Sequence, residues 1–137
     1  MKINEIMTCD VETISPDKTI CDAAKIMEEI DCGALLVNEG DRLIGVITDR
    51  DIAIRAVAEG LGVETPIRYI MSKNVLYCYE DEDVQQVAEN MADEQVRRLP
   101  VLNRNKRLVG VVSLGNIASA QNTKASATVL HGVACAH

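Results

Sequence analysis

The sequence contains no tryptophan and no phenylalanine, and three tyrosines, Tyr69, Tyr77 and Tyr79, are its whole aromatic content. A chain so poor in rings must build its core from aliphatic side chains, and it lacks the platforms on which single-stranded nucleic acid stacks. Basic charge is also short, with 14 Lys and Arg against 21 Asp and Glu for a net −7. That sign opposes binding to polyanions, so nucleic acid and anionic membrane surfaces drop out as partners. Long apolar runs are missing: residues 34–37 are far shorter than a bilayer span, and residues 1–10 hold no apolar core of a secretory signal, so a cytoplasmic location is expected. Five cysteines, Cys9, Cys21, Cys32, Cys78 and Cys135, are odd in number and show no C-x-x-C spacing, which fits neither a disulfide framework nor a zinc ribbon. Most of them read as reduced, partly buried small hydrophobes. What remains is a chain of 137 residues, 47% hydrophobic and 26% charged, of ordinary globular composition and one-domain length.

Laid on itself, the sequence repeats. A shift of 64 places Ile6-Met7-Thr8 on Ile70-Met71-Ser72, Val11 on Val75, Asp17 on Asp81, Ala24 on Ala88, Met27 on Met91, and Leu35 and Val37 on Leu99 and Val101. One extra residue near Asn105 makes the shift 65, after which Leu43-Ile-Gly-Val-Ile-Thr48 falls on Leu108-Val-Gly-Val-Val-Ser113 and Ile52-Ala53 on Ile117-Ala118. Within each copy the periods alternate. Ile20, Ala23, Ala24, Met27 and Ile30 form a helical stripe, repeated by Val84, Val87, Ala88 and Met91. Asp17 and Asp81 stand where N-caps are expected. Two β-rich runs follow each helix, 34–38 then 43–48 and 99–103 then 108–113, and a second helix follows each pair. The expected fold is α/β, built from two β-α-β-β-α copies. The first spans 1–59, a linker 60–66, the second 67–121, and a tail rich in Ala, Ser and Thr fills 122–137. One copy of about 55–60 residues is marginal alone, so the pair is expected to pack about a pseudo-two-fold axis, leaving two equivalent clefts.

The ordered arrangement that ends in Gly45-Val-Ile-Thr-Asp-Arg-Asp51, after Ile6-Met7-Thr8 and the 34–37 strand, resembles the CBS domain, which occurs in tandem pairs called Bateman modules; the likeness covers about residues 1–121. The resemblance implies a regulatory protein, not an enzyme. Such pairs bind adenosine-containing ligands (AMP, ADP, ATP, NAD or S-adenosylmethionine) in their clefts and relay occupancy. No further cofactor is implied. Carried over by position, the resemblance assigns Asp51 to the ribose hydroxyls and Thr48 to the phosphate, with Ile47 lining the site. In the second copy Ser113 matches Thr48, but Asn116 replaces the aspartate and Gly115 departs from the pattern as well. Basic residues at the position of Arg97 and Arg98 face nucleotide in the family, while the first copy carries Gly33 and Ala34 there. This suggests a composite cleft of Thr48, Asp51 and one arginine, Arg98 slightly favoured over Arg97, with Gly33 and Ala34 lining the other cleft or packing on an adenine.

On physical grounds Thr48-x-x-Asp51 is also a capping box, in which both side chains serve the helix's own donors, and the same holds for Ser113 and Asn116. Asp49 and Asp51 are similar in type to the paired carboxylates of magnesium-dependent phosphotransferases, the enzyme alternative. A ligand-free structural or dimerisation module is the other. In the tail, His131, Cys135 and His137 form an H-x3-C-x-H set that could hold zinc, against the reading of a loose terminus. Ile54, Val57 and Leu61, beside Ile52, Ala53 and Ala56, spread apolar character beyond one stripe, which points to a homodimer interface. The downstream protein partner is not encoded here.

Overall fold

The alternating periods resolve into two similar α/β units. A computed structural model describes residues 1–9 and 11–120. In the unit Glu12–Val75, β1 (Thr13–Ile14) runs parallel to β2 (Ala34–Glu39), which turns back antiparallel onto β3 (Arg42–Thr48), giving the order β1-β2-β3. Parallel neighbours need a crossover, and α1 (Ile20–Ile30) supplies it. The other unit combines Met1–Val11 with the described residues from Leu76 to Ala120. There β4 (Cys78–Tyr79), α3 (Val84–Glu94), β5 (Arg98–Leu102) and β6 (Leu108–Ser113) repeat the arrangement in the order β4-β5-β6. Short helices close each unit: α2 (Asp49–Asp51), which continues as a π-helical stretch Ile52–Val57, and α4 (Leu114–Ser119).

The units in space are cut differently from the repeats in sequence. Ile3 lies in one core with Val84, Val87, Met91, Val101, Val112 and Ile117, whereas Ile67, Ile70 and Met71 join Ile20, Ala23, Leu35, Val37 and Ile47 in the other. Each copy's opening segment therefore completes the unit formed by the other copy's strands. The docking is by backbone pairing. Val46 and Ser72 exchange N–H···O bonds of 2.9 Å, and so do Val111 and Thr8. Gly45 and Gly110 make this possible, since a Cβ at Gly45 would lie 2.8 Å from the Ser72 carbonyl and one at Gly110 would lie 2.7 Å from the Thr8 carbonyl.

Helix starts require one correction. The N-caps are Thr19 and Asp83, not Asp17 and Asp81. Thr19 Oγ1 accepts from the Asp22 N–H while Asp22 Oδ2 accepts from the Thr19 N–H, both at 3.1 Å, and these bonds hold the Asp22 carboxyl below its usual range. Asp83 Oδ2 takes the Gln85 and Gln86 N–H groups. Asp17 and Asp81, two residues earlier, pair with arginines instead: Arg68 Nη2 reaches Asp17 at 3.2 Å, and Arg104 grips Asp81 through Nη2 at 2.8 Å. The stripe also narrows in the first copy, where Ile20, Ala23 and Met27 are buried but Ala24 and Ile30 are exposed. The inserted residue of the second copy sits in the 103–107 turn, closed by Asn103 Oδ1 accepting from the Asn105 and Arg107 N–H groups, with Lys106 at φ 61°.

Candidate functional site

Thr48 ends β3 and caps α2, so the strand fixes one side of the site and the helix the other. Asp51 N–H donates to Thr48 Oγ1 and Thr48 N–H donates to Asp51 Oδ2, each at 3.0 Å. The remaining oxygen, Asp51 Oδ1, lies 3.8 Å from Arg55 Nε, and the Asp51 side chain keeps 15% exposure. The start of β2 closes the site from within the same unit. The Gly33 carbonyl accepts from the Asp49 N–H at 2.9 Å, and Ala34 stands across from Thr48 in the sheet. A Cβ at Gly33 would meet only the exposed Asp49 carboxylate, Oδ2 at 2.7 Å, so a larger residue there would displace that side chain.

The other unit builds the same frame with different chemistry. Asn116 Oδ1 accepts from the Ser113 N–H at 2.8 Å and from its hydroxyl at 2.9 Å, while the Asn116 N–H donates to Ser113 Oγ at 3.1 Å. The Asn116 amide nitrogen then reaches Thr8 Oγ1 at 3.4 Å. The Arg97 carbonyl accepts from the Leu114 N–H at 2.9 Å and Arg98 stands across from Ser113. Within the units, then, Gly33 and Ala34 come together with Thr48 and Asp51, and the exposed Arg97 and Arg98 with Ser113 and Asn116. The Ile47 side chain is 0% exposed in the core of its unit, since alternate residues of β3 point inward, so what it can offer a ligand is its backbone.

Asp49 and Asp51 do not form a paired set. Two residues apart on a helix, they point to different sides: Asp51 serves the cap, and Asp49 Oδ1 takes the Arg50 N–H at 2.8 Å. Among the described residues no group of three His, Cys, Asp or Glu side chains is placed to hold a metal ion. The His131, Cys135 and His137 set lies outside the described residues. Beyond α2 the chain winds as a π-helix, with Ala58 N–H donating to the Ala53 carbonyl at 3.0 Å. Ala56 is buried there, while Ile54 is 53% and Val57 67% exposed. Two residues at these termini escape the motif: Arg55, which the i, i+4 spacing from Asp51 could have flagged, and Thr8, 108 residues from Asn116, which no local spacing reveals.

The doubled frame is matched by comparison with known proteins: the CBS domain family fits residues 3–57 and again 67–122. The chain belongs to the CBS domain family. The CBS domain-containing protein YhcV of Bacillus subtilis is 38% identical over 125 residues, 91% of this chain and 89% of that protein. Hypoxic response protein 1 of Mycobacterium tuberculosis is 36% identical over 116 residues, covering 83% and 80%. A crystal structure of Hypoxic Response Protein I with two coordinated zinc ions aligns with a TM-score of 0.77 at 34% identity, covering 88% of this chain and 98% of that one. Pairs of CBS domains are generally regulatory modules, and this chain is one such pair. Among the described residues no helix is long and apolar enough to cross a membrane.

Proposed function

We propose that this CBS pair is a non-catalytic cytoplasmic sensor that binds an adenosine-containing ligand, such as AMP, ADP, ATP, NAD or S-adenosylmethionine, and relays its occupancy to a protein partner. The observation that carries the reading is Asp51. Its carboxylate is fixed by the cap through Oδ2, and Oδ1 remains as an acceptor for vicinal ribose hydroxyls beside the Thr48 hydroxyl. At Asn116 the place of that open oxygen is taken by the amide nitrogen, a donor that reaches Thr8 Oγ1 at 3.4 Å, so the first copy is the stronger site. Arg97 and Arg98 supply cationic charge suited to phosphate, and Gly33 and Ala34 leave room for a flat base. The ligand is a regulator, and no resident cofactor is needed. Exposed Ile54, Val57 and Leu61 form the apolar face through which we place a homodimer.

A thermal-shift or calorimetric screen with those ligands tests the reading, since a ligand at about 100-fold its Kd adds roughly 2.7 kcal/mol. Asp51→Ala loses on the order of 1.5–3 kcal/mol of affinity, and Asn116→Ala loses less. Asp51→Asn keeps an acceptor for the Thr48 N–H and so separates a lost ligand from a lost cap. Mutating Arg97 and Arg98 together to alanine weakens AMP but leaves adenosine unchanged. No binding by any ligand favours a purely structural module, and a light-scattering mass near 14.9 kDa at micromolar protein rejects the homodimer.

A further inference from the structure

Arg55 stands between Asp51 and the strip of chain that leads out of its unit. Its Nε faces Asp51 Oδ1 at 3.8 Å, and its Nη1 donates to the Ile70 carbonyl at 3.3 Å. Beyond Ile70 come Met71 and Ser72, whose N–H groups are held by the Ile67 and Val46 carbonyls at 2.9 Å each, and the unit ends at Val75. This strip closes over Gly45. In the second copy the position of Arg55 is taken by Ala120 and that of Asp51 by Asn116, so neither end of the link exists there.

We propose that Arg55 is a positioning residue that couples the pull of the Asp51 carboxylate on its guanidinium to the hold on the 70–72 strip, and so relays occupancy of the Asp51 site. The proposal rests on the adenosine reading above for the identity of the ligand, but not for the link itself. A guanidinium stays protonated and presents its donors in a rigid fork, so it serves two acceptors at once and its orientation answers to both. Ribose hydroxyls donating to Asp51 Oδ1 occupy the oxygen that Arg55 faces and dilute its pull. The guanidinium then settles on the Ile70 carbonyl, and the strip tightens. By linkage, a tightened strip favours the ligand in return. An ion pair at 3.8 Å whose arginine is half exposed is weak, so the coupling is a few-fold effect rather than a hundredfold one.

Amide exchange at Met71 and Ser72, read in the full chain without ligand, decides the matter. Arg55→Ala raises their exchange by about threefold or more. Asp51→Asn, which removes the charge but keeps the cap, slows exchange by about threefold in the parent and leaves it unchanged in the Arg55→Ala background. An Asp51→Asn effect that is absent, or equal in both backgrounds, overturns the relay. AMP is the separate arm. If AMP slows Met71 and Ser72 exchange only when Arg55 is present, both readings hold. If none of AMP, ADP, ATP, NAD and S-adenosylmethionine binds while the Asp51→Asn coupling persists, the adenosine reading fails and the relay stands; if AMP binds and the coupling is absent, the reverse holds.

Discussion

Replacing Gly45 by alanine tests whether each unit depends on the borrowed opening segment. The new Cβ would lie 2.8 Å from the Ser72 carbonyl oxygen and 2.8 Å from Met71 Sδ, against an ordinary contact of 3.4 Å or more, so the strip must retreat by about 0.6 Å (3.4 less 2.8). The methionine can swing aside, but the carbonyl cannot, because it accepts from the Val46 N–H at 2.9 Å. Retreat stretches that bond to about 3.5 Å, the edge of a useful hydrogen bond. Losing it costs about 0.5–1.5 kcal/mol and the overpacking about 1–3 kcal/mol, together about 1.5–4.5 kcal/mol out of a total stability of about 5–15 kcal/mol. With no tryptophan to report, urea unfolding is followed by far-UV circular dichroism, and the thermal midpoint falls by roughly 6–15 °C. Gly110→Ala, facing the Thr8 carbonyl at 2.7 Å, behaves the same way. Gly115→Ala is the control: it sits near the start of α4 with its nearest neighbour, Ser113 Oγ, at 3.6 Å, and it gains about 0.5–1 kcal/mol. If Gly45→Ala unfolds within about 0.5 kcal/mol of the parent, the strip is not tightly docked and the argument fails.

Three further outcomes follow from the same contacts. Thr19→Ala removes the N-cap of α1 and costs about 1 kcal/mol in urea unfolding. Because Thr19 holds the Asp22 carboxyl below its usual pKa of 3.8, this stabilisation is present above that pH and is lost as pH falls through the lowered value, so Thr19→Ala flattens the acid limb of stability against pH. The Cys78 thiol, 3% exposed, is pushed up from 9.0 to about 12 by burial and secondarily by Glu82; its contribution is complete below pH 9 and declines as pH rises toward 12, and thiol titration of the native protein labels exposed Cys9 but spares Cys78. Met91→Ala, at a wholly buried position of α3, costs about 2–5 kcal/mol by unfolding, well beyond the effect at exposed Ile30.

Sequence alone determined the repeat, the order of elements in each copy and the α/β class, because the periods of 2 and 3.6 are local and occur twice. It also placed Thr48 and Asp51, and Ser113 and Asn116, in capping boxes, since i, i+3 spacing suffices for that contact. Near misses came where local signals compete. By sequence Asp17 and Asp81 are expected to cap, but the caps are Thr19 and Asp83, two residues on, while Asp17 and Asp81 pair with Arg68 and Arg104 from 51 and 23 residues away. The pleat of β3, which turns the Ile47 side chain into the core, is a feature the motif does not spell out. What tertiary structure alone decided is the ownership of the opening segments. Ile6-Met7-Thr8 and Ile70-Met71-Ser72 head their own copies in sequence, yet each closes the sheet of the other, because the glycine at Gly45 or Gly110 admits a backbone close enough to exchange two hydrogen bonds. No spacing within one copy encodes a bond between Thr8 and Val111; it arises from which surface, once folded, has room for a second backbone.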